Sequence, residues 1–185
     1  MKSILPGLLI WFQDLNWPGA REISVFLRDI GDPIIPNIKE VFDQHSDDEG
    51  WIEWIFELII ENWSTKQILQ IQDELIRISK GRKNDLKSLR TLLVHGIYRK
   101  EEIKKILQEK KEQIVLEVIA LEKLNPGIDC EELEKGFKEV IFKPELSRPY
   151  HEQNKAKFSY CNHKSSLQNY LSDIESFASE VSNFA

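Results

Sequence analysis

Apolar residues recur at helical spacing along almost the whole chain, and no alternating run lasts long enough to build a sheet. A series of turn signals interrupts that pattern. Asn16 before Trp17-Pro18, then Gly31-Asp32-Pro33, His45-Ser46-Asp47-Asp48, Gly81-Arg82-Lys83-Asn84 and Asn125-Pro126-Gly127 cut the chain into segments. A sequence divided in this way is confined to all-α folds of many short helices. With 185 residues it suits one domain, or at most two small ones, and it has enough core to fold without a disulfide or a metal staple.

The periodicity predicts helices over 5–15, 18–30, 35–44, 49–62, 64–79 and 85–98. Asp47 or Asp48 caps the fourth, and Ser64-x-x-Gln67 is a capping box for the fifth. A longer helix follows over 101–124, then one from the Asp129 cap to about Phe142. Residues 143–164 hold Pro144, Pro149 and many polar side chains, which predicts a long loop with a short strand over 157–160. A second capping box, Ser165-x-x-Gln168, opens a last helix that ends near Phe184. The expected organisation is a single helical domain, with helix pairs over 1–98 and a helical extension over 99–185.

A repeat is visible in the first part. Leu5-Pro6-x-Leu8-x-x-x-Phe12 returns 30 residues on as Ile35-Pro36-x-Ile38-x-x-x-Phe42, and each copy leads to a Trp and a second helix. Two helices per roughly 30–45 residues is the signature of an α-solenoid of the HEAT or armadillo kind. The run Leu5-Pro6-x-Leu8-Leu9-x-Trp11-x-Gln13-Asp14-x-Asn16-Trp17-Pro18, with Ile35-Pro36-x-Ile38-Lys39 and a Trp-rich helix after it, resembles a bacterial HEAT-like domain family of unknown function. The likeness covers about residues 4–80. It implies a HEAT-type, solenoid-like stack of helix pairs and no assigned activity.

The net charge of −6 conceals an asymmetry. Residues 1–63 hold 4 basic and 12 acidic side chains, residues 64–111 hold 13 and 6, and residues 112–185 hold 8 and 13. All five tryptophans lie in the acidic first third. Asp47, Asp48 and Glu49 lead into Glu53, Glu57 and Glu61, which recur at intervals of four and stack along one helix face. Like charges at that spacing oppose the helix modestly, so the stripe points either to a solvated face or to a basic partner. In a two-helix solenoid the second helix of each unit commonly lines the concave face. That places Asp47, Asp48, Glu49, Glu53, Trp54 and Glu57 on a candidate partner surface, with Glu22 and Asp29 added by the second helix. Trp11 and Trp17 are expected in the core.

Catalytic chemistry has little support. No glycine-rich phosphate loop occurs. Cys130, His151, Cys161 and His163 have the residue types of a zinc site but no finger spacing, so neither a metal nor another cofactor is expected. Two cysteines fall short of a disulfide framework and suit a reducing cytosol. The apolar run 4–12 contains Pro6 and Gly7 and lacks a small-residue cleavage site, and no segment is long and apolar enough to span a bilayer. The basic stretch 77–111 offers phosphate contacts, but Tyr98 is its one aromatic for base stacking, so nucleic-acid binding is the weaker reading. Ion pairing of that stretch with the acidic flanks is the plain alternative. Nothing in the sequence determines an oligomeric state. The expected protein is a non-enzymatic cytoplasmic binding module. Its sharpest form is an immunity protein that neutralises a basic toxin, a nuclease by preference, through the acidic helix face; a HEAT-like adaptor for another basic protein is the alternative.

Overall fold

A computed structural model describes residues 4–184, and among them every regular element is a helix. The chain divides between Ile103 and Lys104 into two compact units. The sequence reading expected one domain with an extension from residue 99.

The first unit is built from α1 (Leu5–Trp11), α2 (Ala20–Ile30), α3 (Ile35–Gln44), α4 (Glu49–Leu58), α5 (Thr65–Ile68), α6 (Gln72–Ser79) and α7 (Asp85–Val94). Helices this short are marginal alone, so packing must supply their stability. Phe12, Leu27, Ile38, Phe42, Ile55, Phe56, Ile68, Ile71 and Leu75 form one closed cluster, and Phe42 stacks on Phe56 at 5.7 Å between ring centres. α1 packs on α2 and α3, α2 on α4, α3 on α4 and α6, and α6 on α7. Asp48 caps α4 by accepting from the Trp51 amide at 3.0 Å. The Gln67 side-chain oxygen accepts from the Ser64 amide at 3.0 Å and starts α5. Gly31 closes α2 at φ +67° and ψ −133°, a conformation that side chains with a Cβ avoid, and Pro33 follows at once.

Four predicted helices are cut short. α1 stops at Trp11, α4 gives way to a 3₁₀ turn over Ile60–Asn62, the fifth is broken by a 3₁₀ turn over Leu69–Ile71, and the sixth ends at Val94 and not at Tyr98. Trp51 and Trp63 are buried, but Trp11 and Trp17 are 54% and 57% exposed. The core expectation for that pair is therefore wrong. Leu5, Leu9 and Phe12 make the buried stripe of the first segment, and Trp11 points about a third of a turn away from it.

The second unit contains most of α8 (Lys100–Leu124), with α9 (Cys130–Val140), α10 (Pro144–Gln153) and α11 (Lys155–Asn183). Tyr160, Leu167, Ile174 and Val181 are buried at seven-residue intervals on α11. Leu107 and Ile114 are buried on α8 at the same interval. This is the pattern of a paired-helix seam. Lys111 meets Glu175 at 2.7 Å, Glu122 meets Lys164 at 2.7 Å and Glu117 meets His163 at 3.6 Å, so the two helices run antiparallel.

Residues 144–153 and 155–164 are helical, which overturns the predicted loop and its short strand. Pro144 occupies the first turn of α10, where its missing N–H costs nothing, and Pro149 is accommodated inside that same helix. Phe137, Tyr150, His151 and Phe158 form an aromatic cluster that holds α10 against α9 and α11. Ser165 and Gln168 lie within α11 and cap nothing. Cys130 and Cys161 are joined by a disulfide, with Cα atoms 5.6 Å apart. Their separation of 31 residues concealed a contact that only the folding of α9 onto α11 creates.

Candidate protein-binding surface

The acidic stripe of α4 is present, but it is already partnered. Lys83 reaches Glu49 at 2.6 Å, and Lys87 from α7 sits between Glu53 at 3.2 Å and Glu57 at 2.5 Å. Burial works against the charge on Lys87, yet its hydrogen bonds to Glu57 and Glu53 carry its pKa above the ordinary lysine value. Lys83 is likewise raised, first by its bond to Glu49. Asn84 adds a bond from its side-chain amide to the Glu49 carbonyl at 3.1 Å. The basic turn thus lies over the carboxylates, as the ion-pairing alternative expected. Glu61 leaves the stripe because α4 ends at Leu58.

The other candidates separate by role. Asp48 is the cap of α4 and also accepts from the Gln13 side chain. Asp47 is exposed and contributes to the field at Lys83. Trp54 is half-buried against the core cluster. Glu22 and Asp29 are exposed on α2, and Asp29 receives the Arg28 guanidinium at 2.8 Å.

α2 carries what the sequence reading missed. Ala20, Ser24 and Leu27 are buried, which turns Glu22, Val25, Phe26 and Asp29 outward at the i, i+3, i+4, i+7 spacing of one helix face. Val25 and Phe26 are 45% and 46% exposed, although Phe26 shares the helical spacing of Ile23, Leu27 and Ile30. The legible signal was that spacing, counted from Glu22 rather than from Ile23. Trp11 and Trp17, the second exposed feature of this region, pack on each other at 6.0 Å between ring centres.

Residues 1–91 match the domain of unknown function DUF5071. That stretch holds all eight residues of the candidate surface and ends inside α7. The sequence likeness to a family without assigned activity is thus met over 1–91, while the DUF5071 description carries no HEAT-type assignment. No curated protein and no solved structure matches the chain.

Among the described residues, no group of three or more His, Cys, Asp or Glu side chains is placed to hold a metal ion. No helix there is long and apolar enough to cross a membrane.

Proposed function

We propose that the first unit is a protein-binding module whose contact face is the outward side of α2, and that it recognises a basic partner. The observation that carries this reading is the row Glu22, Val25, Phe26, Asp29, in which two carboxylates flank two exposed apolar side chains. Desolvated aromatic and aliphatic anchors supply affinity, and flanking charges supply orientation and rate. The exposed Trp11–Trp17 pair adds anchors of the kind enriched in interfaces. Glu49, Glu53 and Glu57 take a secondary place, because a partner would first have to displace Lys83 and Lys87.

The fold reading belongs to the same proposal. First helices of successive pairs touch, as α1 with α3 and α3 with α6, and second helices touch, as α2 with α4. This neighbour pattern supports a HEAT-type stack of pairs. In its sharpest form the module is a cytoplasmic immunity protein that acts by binding and neutralises a toxic nuclease. Its acidic face would screen the basic groups that bind phosphate in such an enzyme. The pairing of Arg77 with Asp43, Lys83 with Glu49, and Lys87 with Glu53 and Glu57 weighs against nucleic acid as the partner of the basic stretch.

The test is affinity capture by the tagged protein from its own host, compared with Glu22→Lys/Phe26→Ala and with Glu53→Lys/Glu57→Lys. A stoichiometric basic protein is expected with the parent, lost with the α2 variant and merely weakened with the α4 variant. Rescue of host cells from that partner would distinguish immunity from an adaptor role. Retention of the partner by a correctly folded α2 variant, or turnover of any substrate by the pure protein, would sink the proposal.

A further inference from the structure

The second unit holds a cleft that no part of the binding proposal uses. It is open, measures about 920 Å³, and runs between α9 and α11. Asp129, Leu133, Phe158, Asn162, Lys164 and Gln168 are among its walls, and the Cys130–Cys161 disulfide borders it. Neither cysteine is fully buried. We propose that this disulfide is a thiol-exchange site, and that its reduction by a dithiol releases the first turns of α9 from α11.

Three observations carry the proposal. Access comes first, since exchange needs a thiolate to reach a sulfur, and two partly exposed cysteines that line an open cleft allow that approach. The second is that α9 is held at two separate places. Its start is held by the disulfide, while Phe137 near its end packs edge-on against Phe158 of α11 at 5.5 Å. In the first turn itself, Tyr150 of α10 donates to the Leu133 carbonyl at 3.2 Å, a tie to α10 and not to α11. Breaking the sulfur bridge therefore removes the covalent tie between the start of α9 and α11 and leaves the far end of α9 anchored. Third, the start of α9 can open locally without unfolding the rest of the unit. Asp129 accepts from the Glu131 and Glu132 amides at 2.9 and 3.1 Å, a cap that does not depend on the disulfide. The turn before it contains Gly127 at φ +76°.

The chemistry balances with one dithiol. A thiolate of the reductant attacks one protein sulfur, and the other leaves as a thiolate that takes up a proton. The second thiol of the reductant then displaces the first cysteine and closes its own disulfide. The protein gains two electrons and two protons. Asp129, Glu131 and Glu134 line the approach, while Lys164 is paired with Glu122 at 2.7 Å. A neutral dithiol is therefore favoured over an anionic thiol.

Oxidised full-length protein without denaturant is titrated with dithiothreitol buffers, in parallel with glutathione, and free thiols are counted by alkylation and mass spectrometry. Hydrogen exchange is read at each step. Reduction should proceed in the native protein, faster with dithiothreitol than with glutathione at equal thiolate concentration. Amides of residues 131–135 should exchange about tenfold faster or more, while those of α3 and α4 keep their protection. Cys130→Ser and Cys161→Ser should each reproduce the reduced pattern under oxidising conditions, and reoxidation should restore the parent pattern. Reduction that requires denaturant, reduction that leaves α9 protection unchanged, exchange across the whole unit at the rate of an unfolded chain, or failure of the two thiols to pair with oxidised dithiothreitol would each overturn the proposal.

Discussion

The two units solve the same problem with different geometry. In the first, seven short helices close around one thick cluster in which Phe12, Phe42 and Phe56 are completely enclosed. In the second, α8 and α11 run 25 and 29 residues but bury one narrow row each. A thick core stabilises through packed volume, so it fails where volume is removed. A narrow seam contributes less buried area per residue, and the disulfide and the aromatic cluster make up part of the difference. Short helices therefore need not mean a weak unit, nor long helices a strong one.

The comparison can be broken first at the thick core. Phe56→Ala should cost about 3–5 kcal/mol, because its ring is fully enclosed and stacked on Phe42. Denaturant unfolding followed by tryptophan fluorescence, to which Trp51 and Trp63 report, checks this; a loss under about 1 kcal/mol would mean that the core relaxes freely.

Next comes the cross-link. Cys161→Ser should lower the stability of the second unit by about 3–4 kcal/mol, the loop entropy expected for a separation of 31 residues. The tryptophan-reported transition should stay in place, since all five tryptophans lie before residue 64. Coincident loss of both transitions would show one cooperative body instead of two sources of stability.

A smaller effect should follow at Gly136, where the Tyr150 hydroxyl lies against the bare Cα. Gly136→Ala has no room for its methyl group unless Tyr150 gives up its bond to Leu133. A loss of about 1–3 kcal/mol is expected, confined to the second unit. Adding Tyr150→Phe to the Gly136→Ala variant should return part of it, as measured by hydrogen exchange on α9.

The smallest effect is one of pH. Burial lowers the pKa of His95 below its ordinary 6.5, so the folded chain binds that proton less readily than the unfolded chain does. Stability of the first unit should be level above pH 6.5 and fall as the pH drops below it, until the folded state is protonated too. His95→Gln should flatten that slope. Solvent screening keeps the effect below about 1 kcal/mol, and an unchanged slope in the variant would assign it to other groups.

How far each unit was legible depends on how local its determinants are. Ile35 and Gln44 bound α3 as the periodicity predicts, and the Asp48 cap and the Ser64–Gln67 contact form within four residues of chain. The candidate surface was half legible. Glu22, Asp29 and the α4 carboxylates were found by spacing, but their standing was not. Lys83 and Lys87 come from 30 or more residues away to neutralise Glu49, Glu53 and Glu57, and no local pattern encodes that meeting. Val25 and Phe26 were hidden for the complementary reason. Apolar residues at helical spacing look alike whether a neighbouring helix covers them or not.

Helix spacing, turn signals and charge distribution were thus set by the sequence itself, because each arises from interactions within a few residues. The helical course of 144–164, the joining of Cys130 to Cys161, the exposure of Trp11 and Trp17 and the covering of the α4 carboxylates by Lys83 and Lys87 were decided by tertiary structure. Each of these depends on which surface of one helix meets another, and that meeting is determined by the packing of whole faces and by charges far apart in the chain.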